Sequence, residues 1–108
     1  MTLQQRGPRV ELRIGTGLPE QTYRPSVDIT MGSAGSVYPG GILAVILTGM
    51  GSDGKQAAYQ LKQGGSTVWS QDQASCIVYG MPQAVEKSGL SDKVLPLQDI
   101  GPLMIKAV

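Results

Sequence analysis

Histidine is absent from the 108 residues, and with it go the commonest general base and the commonest metal ligand. Any hydrolytic or metal chemistry assigned to this chain must use other groups, or a histidine from outside it. Cysteine is nearly absent: Cys76 alone excludes an internal disulfide framework and suits a reducing cytoplasm. A charge excess is also lacking. Nine basic residues against eight acidic ones leave a net charge of +1, which offers no electrostatic reason to expect nucleic acid or an anionic membrane as partner. Long apolar runs are missing too. The longest, residues 42–47, is far too short to enter and cross a bilayer, and no secretory signal pattern opens the sequence. What remains, at 41% hydrophobic residues, is the composition of one small soluble domain without repeats.

Along the chain, residues 1–24 (MTLQQRGPRVELRIGTGLPEQTYR) hold one strand candidate, Val10 to Ile14, and otherwise read as an irregular or edge region. Pro25 and Ser26 look like a helix start with Val27, Ile29 and Met31 as its apolar face, and the GSAGS run at 32–36 is expected to end it. Residues 42–47 form a continuous aliphatic run, the mark of a strand buried on both faces. Asp53 to Lys62 carries helix formers, with Ala57, Ala58 and Leu61 at helical spacing and Gly64-Gly65 as the stop. Residues 66–70 (STVWS) read as a strand, 77–79 as a short apolar piece, 81–87 as a helix and 93–97 as a last strand. Asp99 is expected to cap a final helix through Lys106. Alternation of strand and helix implies an α/β fold, doubly wound around a mainly parallel, Rossmann-like sheet.

The stretch ILTGMGSDGK at 46–55 raises the functional question. Glycines at 49, 51 and 54 spell G-x-G-x-x-G after a buried strand and before a helix, and Asp72 ends the next strand about 20 residues on, as in a dinucleotide fingerprint. Asp53 stands against that reading, because an ionised carboxylate where the loop amides converge repels a pyrophosphate. The Walker-type reading fails on the same residue, and Gln56 replaces the hydroxyl that should ligate magnesium. Three readings stay open on the residues alone: a tight turn capped by Asp53, a nucleotide loop, and a loop that presents a catalytic acid.

LTGMGSDG, preceded by YRPSVDI (23–29) and followed by QDQASCIVYGMP (71–82), resembles the C-terminal half of the chemotaxis protein-glutamate methylesterases, the CheB family. The three blocks occur in order from about Tyr23 onward, and residues 25–108 are the portion matched to the family. The resemblance implies that Asp53 is the aspartate of a Ser-His-Asp triad, and that the backbone around Gly49 and Met50 lies beside the substrate and binds the oxyanion. It also implies a pocket lined by Ser75, Cys76, Tyr79, Gly80 and Met81. The activity implied is hydrolysis of glutamyl methyl esters, with glutamine deamidation in many members, on methyl-accepting chemotaxis receptors. No metal or other cofactor is implied, and such enzymes usually carry a phosphorylatable receiver domain.

The family's nucleophile lies in a Ser-x-Gly-Gly segment and its histidine follows a strand later, both ahead of everything quoted; neither occurs here. By this resemblance, the opening MTLQ looks like the point just after the family's His-Met segment. The sequence therefore reads as an incomplete domain, inactive alone, with an exposed sheet edge that favours self-association. Two other classes stay open: a small nucleotide-binding βαβ module using the GMGSDG loop, and a non-catalytic domain that binds a receptor or signalling partner. Among the remaining residues, Cys76 reads as a buried strand thiol, Ser75 as a hydrogen-bonded strand-end serine and Trp69 as core. Lys55 and Lys62 read as a solvated face, and Arg24 as a surface residue or a partner for a carboxylate.

Overall fold

A computed structural model describes residues 1–15 and 26–107. The elements run β1 (Thr2–Arg6), β2 (Arg9–Arg13), α1 (Val27–Val37), β3 (Leu43–Ile46), α2 (Lys55–Gln63), β4 (Thr67–Gln71), α3 (Met81–Lys87), β5 (Lys93–Leu95) and α4 (Leu97–Ala107). β3, β4 and β5 form a parallel sheet with β4 in the middle, in register Ala44 to Val68 and Trp69 to Lys93. Each parallel step needs a crossover, and α2 and α3 supply them. The fold is α/β and Rossmann-like.

The apolar residues of β3 and β4 explain the core. Ala44 and Ile46 from β3, Val68 from β4, Ala58 and Leu61 from α2, and Val85 and Leu90 around α3 form one buried cluster. Ala57, Ala58 and Leu61 form the buried stripe of α2 that their helical spacing predicts. Trp69 is buried too, with the Lys93 ammonium 5.5 Å from its ring centroid.

The structure departs from the sequence-based expectations in four places. The first residues are not irregular: β1 pairs antiparallel with β2 across a Gly7-Pro8 turn, with Leu3 opposite Leu12 and Gln5 opposite Val10. The strand Thr2–Arg6 lacks apolar alternation, so only its partner reveals it. Second, GSAGS does not end α1, which runs to Val37. A Cβ on Gly35 would lie 2.7 Å from Leu61 Cδ2, so the small residues let α1 settle closely against α2. A helix breaker in local terms is here a packing face. Third, β3 ends at Ile46, Leu47 is exposed and Leu43 and Val45 are only half-buried, so the strand is not enclosed on both faces. Fourth, β5 covers only Lys93–Leu95 and α4 begins at Leu97, which places Asp99 inside its first turn rather than at its cap.

Candidate active site

Two loops at the C-terminal ends of β3 and β4 form the candidate site, at the edge where open α/β sheets commonly carry their chemistry. In the first loop, Gly54 adopts φ +100°, a left-handed conformation that suits glycine, and it turns the chain from Asp53 into α2. Asp53 is thereby carried inward and is only 7% exposed. Its carboxylate does not cap the helix it precedes. Oδ2 accepts from the Val27 N–H at 2.7 Å, and Oδ1 accepts from the Asp28 N–H at 3.0 Å and from Ser26 Oγ at 3.0 Å. Asp53 thus caps α1, whose own N-cap residue, Ser26, makes no side-chain cap bond to its helix. Asp28 returns the contact: its Oδ1 accepts from Gly54 N–H at 3.1 Å and Ala57 N–H at 2.8 Å, at the start of α2.

This pair decides against the nucleotide reading. The amides at the N-terminus of α2, where a phosphate would bind, are engaged by the Asp28 carboxylate. The glycines serve the turn and a close approach of backbones instead. A Cβ on Gly80 would lie 2.6 Å from the Gly49 carbonyl oxygen and 2.9 Å from the Gly51 nitrogen, so the two loops touch main chain to main chain.

That contact draws together most of the residues expected at the site. Gly49 donates its N–H to Val78 O at 3.0 Å, and its carbonyl accepts from the Gly80 and Met81 N–H groups. Thr48 Oγ1 donates to Val78 O and accepts from Val78 N–H. Gly49, Met50, Tyr79, Gly80 and Met81 therefore share one rim. Met50 projects from it, 81% exposed, and its N–H meets no acceptor among the described residues. Met81 is half-buried against the core, and the Tyr79 hydroxyl donates to Glu86 of α3.

Ser75 and Cys76 stand differently. Both lie in the turn after β4 and not on the strand, because β4 ends at Gln71 and Asp72 opens a turn. The Ser75 hydroxyl donates to Asp72 Oδ1 at 2.6 Å and accepts from Gln71 Nε2 and from Leu97 N–H, which uses all its hydrogen-bonding capacity inside the fold. Burial pushes the Cys76 thiol up; a hydrogen bond with Thr48 opposes this in part and the negative Asp72 adds to it. A raised thiol is a poor nucleophile at neutral pH.

Lys62 is not simply solvated, since it pairs with Asp92, while Lys55 is exposed. Arg24 lies outside the described residues. Sequence reasoning missed Gln71 and Asp28. Gln71 is 1% exposed; its Oε1 accepts from Thr48 N–H at 2.8 Å and its Nε2 donates to Ser75 O at 2.8 Å, which ties the two loops below their surface contact. Asp28 sits within YRPSVDI, but its partners are too distant in sequence for local reading to find. Among the described residues, no group of three or more His, Cys, Asp or Glu is placed to hold a metal ion, and no helix is long and apolar enough to cross a membrane.

The sequence profile described as CheB methylesterase matches residues 1–104, nearly the whole chain. The chain belongs to the CheB methylesterase family. It is 52% identical over 99 residues to the protein-glutamate methylesterase/protein-glutamine glutaminase 2 of Pseudomonas fluorescens strain Pf0-1, covering 92% of this chain and 26% of that protein. It is 48% identical over all 108 residues to the protein-glutamate methylesterase/protein-glutamine glutaminase of Vibrio parahaemolyticus, covering 29% of it. The crystal structure of the Thermotoga maritima CheB methylesterase catalytic domain superposes with a TM-score of 0.94 at 36% identity, covering 99% of this chain and 57% of that one. The chain thus spans about a quarter of the length of its curated CheB relatives. The family match includes the β1–β2 hairpin, and the loops that meet at Gly49 and Gly80 are part of this CheB fold.

Proposed function

We propose that the chain supplies the acid of a Ser-His-Asp ester hydrolase acting on glutamyl methyl esters of methyl-accepting chemotaxis receptors, and on receptor glutamines. One observation carries the reading: Asp53 is a buried carboxylate in the loop that follows a parallel strand, held in one orientation by three donors, with acceptor capacity left over. A carboxylate so placed accepts the Nδ1–H of a histidine, fixes its tautomer and stabilises the imidazolium formed when serine is deprotonated. The serine oxygen adds to the ester carbonyl, methanol departs with the proton the imidazolium returns, and water then releases the glutamate. With glutamine the leaving group is ammonia. Met50 N–H on the loop rim is the backbone donor offered to the oxyanion, whereas Gly49 N–H is engaged by Val78.

Because the chain has no histidine, it is expected to be inactive alone. β3 and β5 are the edge strands of the sheet among the described residues, which favours self-association of the isolated chain. Sedimentation at low micromolar concentration checks that, and a compact monomer would refute it. The catalytic reading is tested in the Pseudomonas fluorescens relative with its matching segment replaced by this chain. Asp53→Asn there should lower methanol release by about 10⁴-fold. Unchanged turnover would remove Asp53 from the triad.

A further inference from the structure

Resting on Asp53 as the triad acid, we infer that Asp28 is a positioning residue for the reaction, acting through a reciprocal capping of two helices. Asp53 immediately precedes α2 yet binds the first amides of α1. Asp28 belongs to the first turn of α1 yet binds Gly54 and Ala57 at the start of α2. Each carboxylate is therefore fixed to the helix that the other one introduces. Movement of α1 relative to α2 would stretch both sets of bonds at once.

The consequence falls on the aim of Asp53. A carboxylate has about four acceptor positions. Two on Oδ1 are filled by Ser26 Oγ and Asp28 N–H, and one on Oδ2 by Val27 N–H. The remaining position is on Oδ2, so a histidine N–H has one oxygen to approach and one direction of approach. Asp28 never touches the reacting atoms. It holds Gly54, the residue after Asp53, against α1 and so stops the carboxylate from rotating with its turn.

The experiment uses the same Pseudomonas fluorescens graft, with methylated receptor as substrate. Asp28→Ala should lower kcat on the order of tenfold to a hundredfold with KM little changed, because misplacement of a catalytic group by about an ångström has that effect. Asp28→Asn keeps an acceptor oxygen for both amides and should restore most of the loss. A destabilised but correctly aimed site would instead show reduced folded fraction and normal kcat per folded molecule. Asp28→Ala turning over within twofold of the parent, or Asp28→Asn as impaired as Asp28→Ala, would overturn the inference. Should Asp28→Ala fail to fold, Asp28→Glu keeps the charge but moves the acceptor by one methylene from Gly54 and Ala57, and should lower kcat severalfold; an unchanged kcat there overturns the inference equally. Asp53→Asn separates the two questions: an active Asp53→Asn ends the triad reading, while a dead Asp53→Asn beside a fully active Asp28→Ala ends only this one.

Discussion

The loops after β3 and β4 each hold an aspartate, and the two are used in opposite ways. Asp72 accepts from the backbone and hydroxyl of Ser75, three residues on, and closes its own turn. Asp53 accepts from residues 25 to 27 positions away and holds a different helix. The first arrangement is local and leaves the carboxylate half-exposed; the second is tertiary and buries it. A catalytic acid needs the second kind, because a group fixed from several elements keeps its direction when any one of them fluctuates.

Of the effects expected on stability, the largest belongs to Asp53. Asp53→Ala leaves two helix-terminal N–H groups and the Ser26 hydroxyl without their acceptor, and should cost about 2–4 kcal/mol. Asp72→Ala should cost about 0.5–1.5 kcal/mol, since water reaches its turn. Urea unfolding of both variants in the isolated chain measures the difference. Equal costs would mean that the two aspartates are held alike.

That contrast also explains what could be read from the residues. Local patterns found α3 at its observed limits, the buried stripe of α2 and the glycine turn that presents Asp53. They failed where a residue's role depends on a distant partner. Gly35 reads as a breaker until Leu61 lies over it, and Thr2–Arg6 reads as coil until Arg9–Arg13 pairs with it. Asp28 and Gln71 carry no local signal of their own, and only the approach of other elements makes them structural. The orientation of Asp53 belongs to the same class: its presence in a turn was legible, and the helix it caps was not.

The contact between the loops gives the next largest effect. Gly80→Ala places a Cβ against the backbone of Gly49 and Gly51, which cannot swing aside. It should cost about 1–3 kcal/mol by overpacking and part the rim. Gly49→Ala meets chiefly the Met81 sulfur at 2.6 Å, the far part of a flexible side chain, and should cost less. Thermal unfolding ranks the two; a reversed order would show that the rim yields at Gly80 and is fixed by Met81.

Beneath the rim, Gln71→Leu conserves bulk but strips Thr48 N–H and Ser75 O of their partner, at about 1–2 kcal/mol. Hydrogen exchange should quicken at Thr48 in that variant while the Val27 and Asp28 amides, held by Asp53, stay protected. Loss of protection at all three would make the two loops one cooperative unit and weaken the contrast drawn between them.

The smallest effect belongs to Asp92, which stands between the two cases: its carboxylate accepts from a distant backbone amide, Val68 N–H at 2.8 Å, but lies near the surface beside Lys62. The Lys62 ammonium, and then the Val68 amide, hold the Asp92 carboxyl below its usual range, and partial burial opposes them. A lowered folded-state pKa means that the unfolded chain takes up the proton first as pH falls. The stabilisation is therefore fully present above the ordinary aspartate pKa of about 3.9 and is lost as pH drops through the lower folded value. Lys62→Ala should cost under about 1 kcal/mol at neutral pH and low salt, since the pair is half-exposed and screened. The difference between Lys62→Ala and the parent should shrink in molar salt and vanish at the acid end of a urea titration series. A difference that persists unchanged below pH 3 would assign the effect to the lysine stem and not to its charge, and Asp92 would then be a carboxylate held by the distant Val68 N–H alone.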